Sequence, residues 1–334
     1  MKKYNVAIVG ASGLIGNKFI EILEERNFPV ENLFLFASEK SAGKTISFKN
    51  KAYAIEKLDD DSFSKYKIDI ALFSAGAKIS KKFAPIASCS GATVIDNSSA
   101  WRMDKTVPLV VPEINPDDTF LHKGIIANPN CSTIQALLVL KPLHDAFKIK
   151  RVIISTYQAV SGAGNSGIED LENGINNIAP KKFHYPIYNN CIPQIDIFND
   201  LGYTKEEIKL VNETRKIFHE NINLTATTVR VPVKNCHSEA INVEFENPFD
   251  IGHVIATLEK APGVKLVNNI NNLQYPMPIN ADGKDDVLVG RIRRDFTVDN
   301  GLNLWVVADN VRKGAATNAI QIAELLIKNW EADK

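Results

Sequence analysis

The sequence predicts an α/β protein of two domains, in which a doubly wound parallel sheet is followed by a mixed α+β domain. Two observations predict this class. Short apolar runs alternate with amphipathic stretches through the first third of the chain, as in strands joined by helices. Longer β-branched runs follow, with few helices predicted between them. The 334 residues, 45% of them hydrophobic, suffice for two buried cores.

The individual elements follow from hydrophobic periodicity. Ile15, Phe19 and Ile22 recur at helical spacing between the first two strands, which predicts a βαβ unit. Helices are also predicted over 132–143 and 315–330. The predicted strands are 6–9, 33–37, 68–73, 93–96, 109–111 and 125–127 in the first domain and 151–158, 223–233, 239–245, 286–291 and 303–308 in the second. The first domain is assigned residues 1–128 and 312–334, and the second 129–311.

Composition excludes several classes of protein. Lys+Arg and Asp+Glu both number 39, so no global charge attracts nucleic acid or an acidic membrane. The four cysteines lack the CxxC spacing of metal sites, which also argues against a disulfide framework and favours a reducing cytoplasm. No apolar run approaches the roughly 18 residues of a membrane span. We expect a soluble, cytoplasmic protein without a metal ion.

A glycine-rich turn occupies residues 10–16, where the first strand should give way to the first helix. Glycines at such a turn let the backbone approach a pyrophosphate at the helix N-terminus. The predicted cofactor contacts in this turn are Gly10, Ser12, Gly13, Leu14 and Ile15. The spacing is GxxGxxG rather than GxGxxG, so a tight turn without a ligand is the alternative.

The end of the second strand distinguishes the two nicotinamide cofactors, because an acidic group there binds ribose hydroxyls while hydroxyls and cations bind a 2′-phosphate. Ser38, Lys40 and Ser41 suit a phosphate. Glu39 would either bind a ribose or point to solvent. The sequence therefore favours NADP.

Cys131 directly precedes the apolar helix, within the motif Asn-Pro-Asn-Cys-Ser-Thr at 128–133. The positive end of a helix favours a thiolate and lowers the pKa of a thiol. Cys131 is thus the predicted nucleophile, whereas Cys89, Cys191 and Cys236 are predicted to be small buried hydrophobes.

A thiolate nucleophile needs a proton-transfer partner, and His237 follows a long strand at a turn where catalytic groups collect. An ordinary surface-loop histidine is the alternative. Seven residues earlier, Arg230 is a lone cation in an apolar strand, so it is either paired structurally or binds a carboxylate.

Taken together, the segments 10–16, 99–102, 128–133, 155–164, 212–216 and 230–237 resemble the aspartate-semialdehyde dehydrogenase family across nearly the whole chain. The resemblance implies a Rossmann-type NADP-binding domain and a catalytic and dimerisation domain like that of glyceraldehyde-3-phosphate dehydrogenase, in a homodimer. It also implies reduction of L-4-aspartyl phosphate to L-aspartate 4-semialdehyde through a cysteine thioester. That step leads to lysine, threonine, methionine and diaminopimelate.

The resemblance also implies a role for each site residue. Cys131 is the nucleophile, His237 the general acid and base, and Gln158 orients the covalent intermediate. The remaining assignments are Arg230 for the substrate carboxylate, Glu213 for its ammonium, Arg102, Lys216 and Asn130 for phosphate, and Ser161, Gly162 and Asn310 for the cofactor.

Several of these residues have structural alternatives. Glu213 and Lys216 are spaced for a surface salt bridge on a helix, and Arg102 for stacking on the Trp101 indole. The rival functions are an N-acetylglutamyl-phosphate reductase and a non-enzymatic dinucleotide-binding redox sensor. The substrate of the reductase has an acylated amine, so it would offer no free ammonium for Glu213 to bind. A cysteine hydrolase is disfavoured by the glycine-rich turn.

Overall fold

The computed structural model describes residues 2–332, which form two compact units comprising 2–129 with 315–332, and 130–314. In chain order the helices and strands are β1 (Tyr4–Val9), α1 (Leu14–Glu25), β2 (Val30–Ala37), β3 (Thr45–Phe48), β4 (Lys51–Lys57), β5 (Ile70–Phe73), α2 (Ala77–Cys89), β6 (Thr93–Asp96), β7 (Ile125–Ala127), α3 (Cys131–Phe147), β8 (Ile149–Gln158), α4 (Asn165–Gly174), α5 (Lys205–Phe218), β9 (Leu224–Arg230), β10 (His237–Phe245), α6 (Ile251–Glu259), β11 (Val264–Leu266), α7 (Pro278–Ala281), β12 (Val287–Asp295), β13 (Gly301–Ala308) and α8 (Thr317–Ala332).

The first unit is built on a sheet of strand order β3-β4-β2-β1-β5-β6-β7. β1 pairs in parallel with β2 on one side and β5 on the other, so the chain changes sides at β1. In such sheets ligands bind beyond the carboxyl ends of the strands at this switch point. The predicted doubly wound parallel sheet is confirmed, with one antiparallel pair, β3 and β4, at its edge.

The strands predicted over 93–96 and 125–127 coincide with β6 and β7. The strand predicted over 109–111 is wrong, because only Leu109 forms an isolated bridge, to Ala127. This apolar run is buried as core packing without a ladder of its own. The sequence did not predict β3 and β4, since most of their residues are exposed or half-buried and lack a strong apolar pattern.

α1 and α8 pack against each other beside this sheet. Phe19 and Ile22 of α1 join Ile320 and Ala323 of α8 in one buried cluster, which confirms the apolar face predicted for the last helix. At the surface, Arg26 donates through Nε and Nη2 to the two carboxylate oxygens of Glu324, at 2.8 and 2.7 Å.

The second unit contains a mixed sheet of strand order β11-β12-β13-β10-β8-β9. β10 runs antiparallel to β8 and β13, whereas β8 and β9 are parallel. Because β8 and β9 are parallel and in register at Gln158 and Arg230, the last residues of both strands lie side by side. This pairing brings two predicted site residues to one edge.

α3 packs against α5, α6 and strands β8, β10, β12 and β13, and it is buried along most of its length. It begins at Cys131, so the predicted helix start is confirmed. The prediction of few helices in this unit is wrong, because α4, α5 and α6 also lie there. Polar loop residues flank these helices and obscure the hydrophobic period of about 3.6 residues in their sequences.

The remaining cysteines differ in environment. Cys236 is buried as predicted, but Cys89 and Cys191 are exposed, so that prediction is wrong for both. Cys89 ends α2, and Cys191 lies outside any helix or strand. Among residues 2–332 no helix combines the length and apolar character needed to cross a bilayer.

The turn after β1 has little tolerance for a side chain at Gly16. A Cβ there would lie 2.2 Å from the Gly10 carbonyl oxygen and 2.8 Å from the Ala11 Cα, both backbone atoms. We expect Gly16→Ala to lower the free energy of unfolding by about 1–3 kcal/mol through overpacking. Thermal melting followed by circular dichroism measures this.

Gly13→Ala is the matched control, because its Cβ would lie 3.2 Å from the same oxygen at an ordinary φ of −80°. Its melting temperature should stay closer to that of the wild type. Equal melting temperatures for the two variants would contradict this account of the turn.

Candidate active site

The cysteine of the Asn-Pro-Asn-Cys motif is the first residue of α3 and is partly exposed. Asn130 caps the helix: its Oδ1 accepts the backbone N–H groups of Ser132 at 3.0 Å and Thr133 at 3.3 Å. Asparagine is among the best residues for this position because its side chain satisfies N–H groups that the helix leaves unpaired. The Cys131 thiol is therefore held in the first turn of a capped helix, where the helix dipole favours an anion.

Two carboxylates from α5 hold the capping residue. The Asn130 backbone N–H donates to Glu213 Oε2 at 2.6 Å, and its Nδ2 donates to Glu206 Oε1 at 2.8 Å. Glu213 is only 1% exposed, which rules out the solvated surface salt bridge that its spacing from Lys216 allowed. Lys216, one turn along α5, is half-buried.

Glu206 is 5% exposed and was not predicted as a site residue. Burial favours its protonated form, but Lys209, Asn130 and Arg230 together hold the pKa of the carboxyl below its usual range. Lys209 Nζ donates to Glu206 Oε2 at 3.0 Å. Glu206 is thus a buried, ionised carboxylate beside the nucleophile's helix.

Gln158 is the last residue of β8 and is buried. Its Nε2 donates to Ser132 Oγ at 2.6 Å and to Glu206 Oε1 at 3.3 Å. These contacts fix the amide next to the residue that follows Cys131. The predicted grouping of Cys131 and Gln158 is therefore present in the structure.

Arg230 ends β9 and is buried. Its Nη1 donates to the Ala159 carbonyl at 2.6 Å, and its guanidinium lies 5.9 Å from the centre of the Phe183 ring. Burial lowers its pKa, while the negative charges of Glu206 and Cys131 oppose that effect. The guanidinium has five N–H donors in a planar fork, so further donors are available for a carboxylate.

His237 is the first residue of β10 and is 0% exposed, so the alternative of a surface-loop histidine is wrong. β10 pairs with both β8 and β13, and these strands enclose the His237 side chain. Its Nδ1 accepts the Ala159 backbone N–H at 3.0 Å, which places the ring proton on Nε2. Nε2 has no hydrogen-bond partner in the described chain. Burial, and then the charge of Arg230, hold the pKa of His237 well below 6.5.

Two glycines keep side chains away from this group. A Cβ on Gly162 would lie 2.9 Å from Arg230 Nη1 and 3.1 Å from His237 Nε2, so this glycine borders the two. A Cβ on Gly314 would lie 2.9 Å from the Cys131 Cβ. Gly314 belongs to a π-helical turn, Arg312–Ala316, of a kind that often marks functional sites.

Ser161 and Asn310 form a separate hydrogen-bonded pair in the same unit. Asn310 Nδ2 donates to Ser161 Oγ at 3.0 Å, and Asn310 Oδ1 accepts the Cys236 backbone N–H at 3.0 Å. Both side chains are buried. The 3₁₀ turn Val160–Ala163 joins Ser161 to Gly162.

One group in this unit has metal-ligand character. Cys236, Asp282 and Asp309 offer ligand atoms within 4.8 Å of one another. Asp309, however, already accepts backbone N–H groups from Val311 and Arg312 on Oδ1 and from Gly283 on Oδ2. Burial raises the pKa of the Cys236 thiol, which disfavours the thiolate that a metal would bind. These contacts assign the group a structural role.

In the first unit, the glycine-rich turn leaves the start of α1 open. Gly13 occupies the cap position, and no side chain caps the helix. Ser12 and Gly13 are exposed, whereas Leu14 and Ile15 are half-buried. Unpaired backbone N–H groups at a helix start favour a bound anion, so the turn fits a pyrophosphate.

At the end of β2, Glu39 pairs with Lys57 at 2.9 Å. That pair leaves Ser38 and Lys40 exposed and Ser41 half-buried, within the short 3₁₀ turn Glu39–Ser41 and its cap. The negative charge that would disfavour a 2′-phosphate is therefore offset by a neighbouring lysine.

Arg102, also in the first unit, is buried. Its Nε donates to the Asn128 carbonyl at 2.9 Å and its Nη2 to the Asn97 carbonyl at 2.8 Å. The Trp101 indole N–H donates to Ser80 Oγ. Two backbone carbonyls therefore hold the guanidinium of Arg102.

Both units match known proteins. The sequence matches the family models for the semialdehyde dehydrogenase NAD binding domain over residues 5–122 and the semialdehyde dehydrogenase dimerisation domain over 140–313. These matches, with the Rossmann-type sheet of the first unit, define a class of oxidoreductase that binds a nicotinamide cofactor.

Curated relatives narrow this class. An aspartate-semialdehyde dehydrogenase of Aquifex aeolicus is 56% identical over 97% of this chain and 98% of its own. That of Campylobacter jejuni is 49% identical over 98% and 99%. A crystal structure of aspartate semialdehyde dehydrogenase II from Vibrio cholerae aligns with a TM-score of 0.93 at 49% identity, covering 98% of this chain and 100% of that one. The chain belongs to the aspartate-semialdehyde dehydrogenase family, as its motifs predict.

The capping contacts generate a prediction for Asn130. Asn130→Ala should cost about 1 kcal/mol of stability, the usual value of a helix cap. It should also slow alkylation of Cys131 by iodoacetamide at neutral pH, because the fraying helix start no longer favours the thiolate. Mass spectrometry in a background with exposed Cys89 and Cys191 replaced by alanine would measure this rate.

Asn130→Ser is the control, since serine also caps helices. It should recover most of the lost stability and alkylation rate. An alanine variant that alkylates as fast as the wild type would show that the cap does not activate the thiol.

Proposed function

We propose that this protein catalyses the reversible reaction of L-4-aspartyl phosphate and NADPH to L-aspartate 4-semialdehyde, phosphate and NADP, in the biosynthesis of lysine, threonine, methionine and diaminopimelate. The observation that carries the proposal is Cys131 at the start of α3, with Gln158 bonded to the adjacent Ser132 and with Arg230 and His237 both bonded to the Ala159 backbone. Family membership supports the same substrate. A similar protein, aspartate semialdehyde dehydrogenase II from Vibrio cholerae, has a crystal structure complexed with ASA.

Cys131 is the proposed nucleophile. In the oxidative direction its thiolate attacks the aldehyde carbon and forms a thiohemiacetal. When bound, the cofactor supplies the hydride acceptor, and the thiohemiacetal becomes a thioester. Phosphate then attacks the thioester carbonyl and releases the thiol. A thioester keeps the acyl group activated for phosphate attack.

His237 is the proposed general acid and base, which takes the thiol proton and transfers a proton to or from the thiohemiacetal oxygen. Its Nε2 is the ring atom available for this. Since Nδ1 accepts the Ala159 N–H, the resting ring presents an Nε2–H donor to that oxygen. In this tautomer Nε2–H can donate a hydrogen bond to that oxygen, whereas uptake of the thiol proton by Nε2 requires the tautomer that carries its proton on Nδ1, with the Ala159 contact broken.

The substrate's charged groups would meet opposite charges. Arg230 would bind the α-carboxylate through the fork of its guanidinium, and Glu213 the α-ammonium, with Glu206 adding a second buried negative charge. Gln158 would hold the covalent intermediate, because its amide is fixed by Ser132 and Glu206.

For phosphate, we propose Arg102 in the first unit and Lys216 and Asn130 in the second. Arginine and lysine are the usual partners of phosphate oxygens. The Asn130 amide caps α3 and donates to Glu206, so its contribution would come from the second Nδ2 hydrogen. All three assignments rest on the family resemblance.

The proposed cofactor is NADP. Gly10, Ser12, Gly13, Leu14 and Ile15 would bind its pyrophosphate at the open start of α1, and Ser38, Lys40 and Ser41 its 2′-phosphate. In the second unit, Ser161, Gly162 and Asn310 are the proposed contacts of the nicotinamide. The match to a dimerisation domain supports a homodimer.

The central prediction concerns Cys131→Ala. The wild type should reduce NADP in the presence of aspartate semialdehyde and phosphate, and the variant should lose this activity by several orders of magnitude, because no thioester can form. Absorbance of NADPH measures the rate. Cys191→Ala, which removes an exposed cysteine, is the control and should keep full activity.

Turnover by the alanine variant at the wild-type rate would exclude Cys131 as the nucleophile. Reduction that does not depend on phosphate would exclude the acyl-phosphate product. Turnover of the N-acetylglutamate semialdehyde alone would assign the chain to the rival reductase instead.

The choice of NADP generates a second prediction. Lys40→Ala should raise KM for NADP about fivefold, the effect of losing roughly 1 kcal/mol from an exposed charge–phosphate contact. KM for NAD should not change, since NAD lacks the 2′-phosphate. Steady-state kinetics with both cofactors measures this, with Lys51→Ala on β4 as a control. Equal effects on both cofactors would contradict the assignment.

A further inference from the structure

A buried carboxyl group lies directly behind the proposed active site. Glu239 follows His237 by two residues on β10, so both side chains project from the same face of the sheet. The strand register places Glu239 opposite Thr156 of β8 and Val306 of β13. Glu239 is 0% exposed.

The polar groups around Glu239 have few partners. Neither carboxyl oxygen makes a hydrogen bond in the described chain, and the same holds for Thr156 Oγ1 and Gln135 Oε1. Thr156 and Gln135 are also fully buried. Buried polar atoms without partners are rare in folded proteins, so several in one place indicate a function.

Gln135 of α3 connects the surroundings of Glu239 to the proposed catalytic histidine. Gln135 Nε2 donates to the backbone carbonyl of His237 at 3.3 Å. The same amide lies near enough to Glu239 to favour its charged form, although the contact does not reach hydrogen-bond geometry. Gln135 therefore lies between the carboxyl group and the histidine backbone.

The environment cannot support a charge on Glu239. Among residues 2–332 no lysine or arginine forms a salt bridge with it, and an unpaired carboxylate in a protein interior costs several kcal/mol. Burial raises the pKa of Glu239 well above its usual range, opposed only by Gln135. The neutral acid has an O–H donor, for which Gln135 Oε1 and Thr156 Oγ1 are neighbouring acceptors.

We propose that Glu239 is held as a neutral carboxylic acid and is a positioning residue, which fixes the Gln135 side chain and through it the backbone of His237. The proposal rests on the proposed function, because it concerns the histidine assigned there. Glu239 touches neither substrate nor cofactor in this scheme. Its effect is to keep the His237 ring at the orientation that presents Nε2.

Two substitutions separate the neutral acid from a charged one. Glu239→Gln keeps a neutral group that donates and accepts hydrogen bonds, and should retain kcat for the semialdehyde within about twofold. Glu239→Leu removes both functions at similar volume and should lower kcat about tenfold or more, since small displacements of a catalytic group are costly. KM for the semialdehyde should change little in either variant, because neither touches the substrate groups.

Val243→Ala is the control for a merely structural effect. Val243 is fully buried on the same face of β10 but is four residues from Glu239 and six from His237. It should lower the melting temperature and leave kcat unchanged. If Glu239→Leu behaves like this control, with a lower melting temperature and a wild-type kcat, the positioning role is overturned. If Glu239→Gln loses as much kcat as Glu239→Leu, the neutral acid is overturned.

Two further measurements do not depend on turnover. The infrared spectrum of the wild type at neutral pH should contain a protonated carboxylic-acid carbonyl band that Glu239→Gln lacks. Absence of that band would overturn the neutral acid whether or not the protein is active. A wild type that shows this band but no semialdehyde turnover would refute the proposed function and, with it, the positioning role, while the buried acid would stand.

Stability should also respond to pH with a defined sign. A glutamate whose folded pKa is raised stabilises the fold fully below its unfolded value, near 4.5, and this contribution is lost as pH rises. Glu239→Gln should therefore gain in melting temperature relative to the wild type as pH increases above 4.5. The groups that face Glu239 from β8, β13 and α3 are Thr156, Val306 and Gln135, none ionisable, and His237 is the titratable group described on its own face. A difference independent of pH would overturn the proposal.

Discussion

The helix cap at Asn130 is the interaction on which the rest of the candidate site depends. Its side chain closes the start of α3, and its backbone N–H and Nδ2 bind two carboxylates of α5. Cys131 follows directly, so the position of the thiol and the sign of the potential around it are set by the same residue. Without the Asn130 side chain, the first turn would fray and Glu206 would lose a donor, whereas the backbone N–H that Glu213 accepts would remain.

Charged side chains in the second unit are balanced by their neighbours, in a protein whose formal net charge is zero. Glu206 is stabilised by Lys209 and by the field of Arg230, and Arg230 in turn by Glu206. His237, for which residues 2–332 offer no such carboxylate partner, is kept neutral by burial and by that same arginine. Glu239 is kept neutral by burial alone. One small region thus holds ionised and neutral forms side by side, which is how enzymes separate binding groups from proton-transfer groups.

Local patterns predict some of this structure and cannot predict the rest. The capping asparagine and the apolar run after Cys131 are close together in sequence, so residues 128–133 predict the helix start. Thr204 and Glu207 form a capping box at the start of α5, which predicts a helix start but not that Glu206 is buried beside Asn130. His237 is buried because β10 pairs with β8 and β13, which are distant from it in sequence; His237 itself lies opposite Ala308. Gly314 borders Cys131 although 183 positions (314 − 131) separate the two residues in the chain. Contacts of this kind leave no local periodicity.

The backbone of one residue, Ala159, directly after β8, links the separate parts of the site. The N–H of Ala159 donates to His237 Nδ1, and the carbonyl of Ala159 accepts from Arg230 Nη1. Gln158 immediately precedes it and is in register with Arg230. Since both contacts use backbone atoms, no substitution of the alanine side chain alters them directly. Backbone groups next to β8 therefore orient the histidine and the arginine, and in the proposed scheme Gln135 of α3, which donates to the His237 carbonyl, influences the chemistry without touching a substrate.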